Sequence, residues 1–171
     1  MQTKQELRIW AKEKRKTRDK SIDKILVTKL KNTKEYKCAT NILLYYPLPH
    51  EIDLSALLED REKKFYLPKI DNDNLLCCPY KSGDELCLSC FKTSEPLSSP
   101  VKKTEIELAI IPALCADKNN YRLVYGGGFY DRFLKDFEGV KITCLPQVLI
   151  TTTIFPEKFD IPMDLVITEY V

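Results

Sequence analysis

The sequence predicts an α/β domain of three layers, a mostly parallel central sheet flanked by helices. Short aliphatic runs closed by proline, Asn or Asp recur along the chain. Stretches with apolar residues at helical spacing separate them, and this alternation marks parallel sheets, whose crossovers are helices. The 171 residues, 44% apolar and 30% charged, are enough for one sizeable core and too few to favour two. Residues 1–171 are therefore read as one domain.

Each element follows from its own pattern. Near the N-terminus, Leu7, Trp10 and Lys14 fall at helical spacing, and Ile22, Ile25, Leu26, Val27 and Leu30 form a second stripe. Two helices are expected there, the second beginning near Ser21. CATNILLYYPLP is apolar, rich in aromatics and ended by prolines, which reads as a buried strand. EIDLSALLEDREKK returns to helical period and predicts a helix over 51–63, and KFYLPKI is the next strand. Residues 71–100 mix short apolar pieces with Asn, Asp, Ser, Gly and Pro, predicting one or two short strands in a long loop. IELAIIPAL is the cleanest buried strand, stopped by Pro112. YDRFLKDF then predicts a short helix, KITCLPQVLI a strand and MDLVITEYV a final strand. The order of elements is Rossmann-like.

Composition narrows the function. Lys and Arg total 27 against 25 Asp and Glu, a formal charge of +2, too near neutral to mark a nucleic-acid binder. The basic residues do crowd toward the N-terminus, where a basic amphipathic helix suits phosphate, a membrane surface or plain solvent. No apolar run approaches the ~20 residues that span a bilayer, and the N-terminus lacks the apolar core of a secretory signal. The seven cysteines (Cys38, Cys77, Cys78, Cys87, Cys90, Cys115 and Cys144) follow no framework spacing, so free thiols in a reducing cytoplasm are expected. Cys87-Leu-Ser-Cys90 with Cys77-Cys78 raises a zinc site, but a single C-x-x-C beside a lone histidine at 50 is a weak signal. The expected partner is a small molecule rather than nucleic acid or a membrane, and the expected state is a monomer.

One stretch concentrates the chemistry. Of five glycines in the chain, three stand side by side in YRLVYGGGFYDRFL, residues 121–134. Gly126, Gly127 and Gly128 before a helix can turn successive N–H groups inward as an anion nest. The same residues can equally serve a tight turn, and neither a Walker A motif nor G-x-G-x-x-G is present. The neighbours shift the balance toward a phosphate. Asp131 at a helix start can simply satisfy free N–H groups or, beside a phosphate nest, hold Mg²⁺ shared with phosphate oxygens, and Arg122 is a permanently charged fork for phosphate or carboxylate. Arg132 is read as a solvent-facing helix residue.

Taken with the rest of the chain, this stretch resembles the signature of the 5-formyltetrahydrofolate cyclo-ligases, also called 5,10-methenyltetrahydrofolate synthetases. That family carries R-L-G-x-G-x-G-Y-Y-D-R-x-L after a D-x-x-G loop. Lys4 and Arg8 in KQELR resemble its N-terminal Lys-x-x-x-Arg, HEIDL its E-[IV]-[DE]-T segment, and YLPKI its P-K strand. SEP, IELAIIPA and FDIPMDLVITE resemble its later landmarks, in the family's order.

The resemblance implies a reaction: ATP and 5-formyltetrahydrofolate give 5,10-methenyltetrahydrofolate, ADP and phosphate. The formyl oxygen takes the γ-phosphoryl group, N10 attacks the activated formyl carbon, and phosphate leaves. The protein's part is positioning and charge neutralisation. By the same resemblance, Lys4, Arg8, Arg122, Gly126, Gly127, Gly128, Phe129 and Tyr130 contact ATP. Asp131 and Asp160 hold Mg²⁺, with Asp131 and Tyr130 in the catalytic centre. Glu51 accepts N–H groups of the pterin ring, with Tyr130 packed on the ligand and Lys69 near the nucleotide or folate tail. Glu51 also has a plainer reading, capping the 51–63 helix.

Four positions depart from the family pattern. Phe129 replaces the first tyrosine of Y-Y-D, Phe159 a polar residue before Asp160, Val124 a glycine, and Asn120 the glycine of D-x-x-G. Asn is the least costly substitute if that turn needs positive φ, whereas a β-branched valine opposes such a conformation. A non-catalytic nucleotide- or folate-binding relative of the same fold is the alternative reading; it would need neither Glu51 nor the two aspartates.

Overall fold

The computed structural model describes residues 2–170. Numbered in chain order, the strands are β1 Asn41–Leu43, β2 Lys64–Asp71, β3 Asn74–Tyr80, β4 Leu86–Leu88, β5 Ser94–Pro96, β6 Leu108–Ile110, β7 Cys115–Asp117, β8 Arg122–Leu123, β9 Val140–Cys144, β10 Ile150–Thr151 and β11 Leu165–Ile167. The helices are α1 Lys4–Lys16, α2 Ser21–Asn32, α3 Lys34–Cys38 and α4 Phe129–Leu134. Six strands form the main sheet in the order β11-β9-β6-β1-β2-β3, all parallel except β3, which returns antiparallel on β2. From β1 the chain builds outward through β2 on one side, and later through β6 and β9 on the other. The reversal between β1 and β6 is the topological switch point, where open α/β sheets leave a crevice at the strands' carboxyl ends.

The two faces of the sheet carry separate cores, which makes three layers. Leu26 and Leu30 of α2 and Tyr36 of α3 pack with Ile42, Leu67, Leu108 and Ile110. On the opposite face Phe133 and Leu134 of α4 pack with Leu43, Tyr66, Ala109 and Ile111. Ile42, Leu43, Leu108 and Ala109 are wholly buried, as expected of parallel strands covered on both faces. A small second sheet, β10-β7-β8, receives Leu7 and Ala11 of α1.

Several expectations need correction. No helix spans 51–63; a single 3-10 turn, Ser55–Glu59, stands there. Acidic side chains take the amides a helix would need: Asp53 accepts from Ser55 N, and Asp60 from Glu62 N. Such local bonds compete with helix propagation, while Leu54 and Leu57 still reach the core. The strand expected over 141–150 is broken by Pro146 into β9, a 3-10 turn at Gln147–Leu149, and β10. The final strand shrinks to β11, and Val171 lies outside the described residues. Residues 71–100 hold three strands, β3 to β5, because the β2–β3 hairpin extends to Tyr80. The buried stripe of α1 is Leu7, Ala11 and Arg15, and Lys14 is exposed.

Candidate active site

A cavity of ≈ 360 Å³ opens at the switch point. Tyr45 and Tyr46 follow β1, Pro68 and Ile70 end β2, and Pro112 and Ala113 follow β6, so its floor is the carboxyl ends of adjacent strands. The glycine turn with Phe129 and Tyr130 forms one wall, and Phe91 and Glu95 of the β4–β5 hairpin form another. The lining is aromatic and aliphatic but for a few polar groups, the pattern of small-ligand sites. The two carboxylates that face it, Glu51 and Glu95, are both nearly buried, at 6% exposure.

The glycine turn follows β8 directly. Gly126 has φ +112° and Gly128 φ +70°, conformations a side chain would strain. Gly127 is needed for space: a Cβ there would lie 2.9 Å from the Phe129 ring. Among the described residues the amides of these three glycines donate to no protein acceptor. Arg132, exposed as expected, is not merely solvated. Its guanidinium donates to Gly127 O at 3.1 Å and to Asp73 O at 3.1 Å, bracing the turn from behind.

Charged side chains from three distant segments converge beside this turn. Arg8 donates to Val124 O at 2.9 Å and lies against Gly126. Lys4, one turn earlier on the same helix face, pairs with Asp160 at 2.8 Å and Glu157 at 2.9 Å. Partial burial opposes its charge, yet these two carboxylates outweigh burial and hold the ammonium above its usual range. Asp131 accepts from Arg122 at 3.4 Å and from Ile161 N at 3.3 Å, which sets it beside Asp160. Arg122 is wholly buried, its Nε and Nη1 have no partner, and its Cζ stands 5.6 Å from the Tyr130 ring centroid. Burial disfavours that charge and Asp131 favours it; an arginine stays ionised regardless. Burial also pushes the Tyr130 phenol up, with Glu51 adding to the effect, so the hydroxyl stays protonated.

Glu51 sits in a turn of its own making. Its amide donates to Leu48 O at 3.0 Å, and its Oε2 accepts from Leu48 N at 2.8 Å. It caps no helix. Burial raises its pKa, while the Leu48 amide and nearby Arg15 act against that rise.

The structure thus brings together Lys4, Arg8, Arg122, Gly126–Gly128, Phe129, Tyr130, Asp131 and Asp160, with Glu51 across the adjoining cavity. Lys69 stays apart, for Pro68 and Ile70 line the cavity and alternation along β2 turns the residue between them away. Asn120 has φ +66°, so the departure from glycine falls where asparagine is tolerated. Val124 has no positive φ and forms part of the cavity wall. Phe129 meets Phe91 edge-on at 5.4 Å, and Phe159 is exposed under Lys158. Cys87 lies on β4 and Cys90 in the turn after it; among the described residues no three His, Cys, Asp or Glu side chains group closely enough to hold a metal. Arg15, Tyr125 and Glu95 escaped sequence reasoning. Arg15 had only its i+4 spacing from Ala11 to mark it.

Comparison with known proteins places the whole chain. Residues 1–169 match the model of the 5-formyltetrahydrofolate cyclo-ligase family. The chain is 27% identical over 142 residues to 5-formyltetrahydrofolate cyclo-ligase of Escherichia coli K12, covering 76% of this chain and 78% of that protein. It is 27% identical over 144 residues to the Haemophilus influenzae protein of the same name, covering 77% of each. The solved 5,10-methenyltetrahydrofolate synthetase of Aquifex aeolicus superposes with a TM-score of 0.87 at 27% identity, over 98% of this chain and 90% of that one. The Mycoplasma pneumoniae synthetase shares the fold, with a TM-score of 0.80 at 22% identity over 99% of each chain. A match running from the first helix through the last strand leaves one conclusion: the chain belongs to the 5-formyltetrahydrofolate cyclo-ligase family.

Proposed function

We propose that this protein converts 5-formyltetrahydrofolate and ATP to 5,10-methenyltetrahydrofolate, ADP and phosphate. One observation carries the reading: an apolar cavity and an anion-binding turn share a wall. Gly127, Gly128, Phe129 and Tyr130 line the cavity and also belong to the turn whose amides are free. A flat heterocycle in the cavity and a triphosphate on the turn would meet there, as transfer to a formyl oxygen requires.

The chain's own groups then divide the work. Glu51, held by the Leu48 amide, offers its remaining oxygen to pterin N–H groups, and Tyr45, Tyr46 and Phe91 supply apolar faces. The amides of Gly126–Gly128 and the Arg8 guanidinium suit the phosphates, and Arg122, sealed beside Asp131, adds its positive charge at the same end of the site. Lys4 is balanced by Asp160 and Glu157, and a phosphate chain offers its ammonium a competing anion. Asp131, bonded to the Ile161 amide that follows Asp160, and Asp160 itself would hold Mg²⁺ together with the phosphates. When bound, that ion neutralises charge on the phosphate oxygens. Free thiols support a reducing cytoplasm: all seven cysteines are unpaired, and burial pushes Cys77, Cys115 and Cys144 up to about 12.

The test is direct. Purified protein with Mg-ATP and 5-formyltetrahydrofolate should develop the methenyl absorbance, and omitting ATP should abolish it. Binding of both ligands without that absorbance would establish the non-catalytic alternative.

A further inference from the structure

Arg15 is a cation buried to 5% exposure on the inner face of α1, two turns beyond Leu7. Burying a guanidinium is costly unless its N–H groups are bonded and its charge is balanced. Its bonds go to two places: Nε donates to His50 O, next to Glu51, at 3.1 Å, and Nη1 to the hydroxyl of Tyr125, in the cavity wall, at 2.9 Å. No carboxylate pairs with it directly among the described residues. The carboxylate it influences is Glu51, across a void of ≈ 10 Å³ that both residues line with Arg18, Tyr45 and His50. A void of about that size holds one water.

Each bond bears on Glu51 or on its surroundings. His50 immediately precedes Glu51 and is held at φ +72°, a conformation that needs outside support. Tyr125 lines the cavity with Glu51 yet is half exposed, so little besides Arg15 orients its hydroxyl. We infer that Arg15 is a positioning residue for folate binding, fixing the Glu51 turn and the Tyr125 wall together from α1. The inference rests on Glu51 being the carboxylate that receives the pterin.

A pH dependence follows. Besides Arg15, the groups around Glu51 are Arg18, which donates to Glu51 O at 2.7 Å and is paired with Asp23, His50 on the small void, Glu95 on the cavity wall, and the phenols of Tyr45, Tyr125 and Tyr130. The phenols are neutral at working pH, and the Arg18 charge is offset by Asp23. Burial favours protonated Glu51 and Arg15 opposes it. Removing Arg15 therefore moves the acid limb of folate binding toward neutral pH.

The experiment uses the full chain and three variants, with Michaelis constants for 5-formyltetrahydrofolate and ATP followed from acid to neutral pH. Arg15→Met should raise the folate KM roughly tenfold and shift its acid limb up by about one pH unit, with the ATP KM little changed. Arg15→Lys, which keeps the charge but cannot make both the His50 and the Tyr125 bond, should restore much of the acid limb while leaving the folate KM raised several-fold. A wild-type folate KM and acid limb in Arg15→Met would overturn the inference, as would an equal loss in both constants. If Arg15→Met does not fold, Arg15→Lys decides: a folate-selective rise upholds the role and unchanged constants refute it. Glu51→Gln separates the two levels. A wild-type folate KM in Glu51→Gln removes the reading of the site and the inference with it. A raised KM there with Arg15→Met unmoved removes the inference alone.

Discussion

Asp131 has two tasks that experiment can separate. It is the counter-charge to wholly buried Arg122, and it stands beside Asp160 where a phosphate-bound cation would sit. Asp131→Asn should lower kcat by ~10²-fold or more if its charge serves the transferring phosphoryl group. It should also lower stability, because Arg122 loses the carboxylate it is paired with and uncompensated buried charge costs up to about 3–5 kcal/mol. Asp160→Asn isolates the first task, since Asp160 pairs with half-buried Lys4 rather than with a buried cation. A matching loss of turnover without a large drop in melting temperature, read by thermal denaturation beside the absorbance assay, is the expected outcome. Unchanged turnover in both variants would refute the metal role. At this scale Arg122 and Asp131 stand out by their chemistry beside the glycines, whereas Lys4, Arg8, Glu51 and Asp160 are marked only by the resemblance to the family pattern. Arg15 is marked by neither, since a lone arginine among the basic residues of α1 looks solvated until packing buries it.

The glycine turn is the element on which nucleotide binding depends. Gly126 and Gly128 are required by backbone conformation, and Gly127 by the Phe129 ring lying over it. Gly127→Val should push that ring toward the cavity it lines, weakening both ligands, with ATP the more affected because the amide row is distorted. Equilibrium binding of a non-hydrolysable ATP analogue measures this, and an unchanged Kd would count against the turn as the phosphate site. The Arg132 brace shows why the motif alone was incomplete: its partner Asp73 O lies across the fold in the β2–β3 turn. The absent 51–63 helix is the converse case. Leu54 and Leu57 still reach the core, but Asp53 and Asp60 divert the amides, a competition that period alone does not reveal.

Across the whole molecule, the phosphate end of the site is drawn from α1, β8 with the glycine turn, and residues 157–160, so a nucleotide would link segments far apart in sequence. Mg-ATP at about 100 times its Kd should stabilise the fold by ~2.7 kcal/mol, several degrees in melting temperature for a chain of this size. Lys4→Met should abolish much of that shift while costing the free protein less than loss of a fully buried pair would, since the Lys4 pairs are only partly buried. Differential scanning fluorimetry with and without nucleotide checks both. A shift in Lys4→Met equal to wild type would show that α1 takes no part.

The sequence alone determined the α/β layering, the parallel core strands and the identity of the charged and glycine residues. Periodicity, chain stiffness and side-chain chemistry are local properties, readable one residue after another. Only the tertiary structure decided that Lys69 faces away from the cavity, that Arg122 is sealed with unpartnered donors, and that Arg15 reaches the Glu51 turn. Those outcomes depend on burial and on which strand ends meet at the β1–β6 reversal. Burial is a property of neighbours, and the neighbours here are up to 156 residues away.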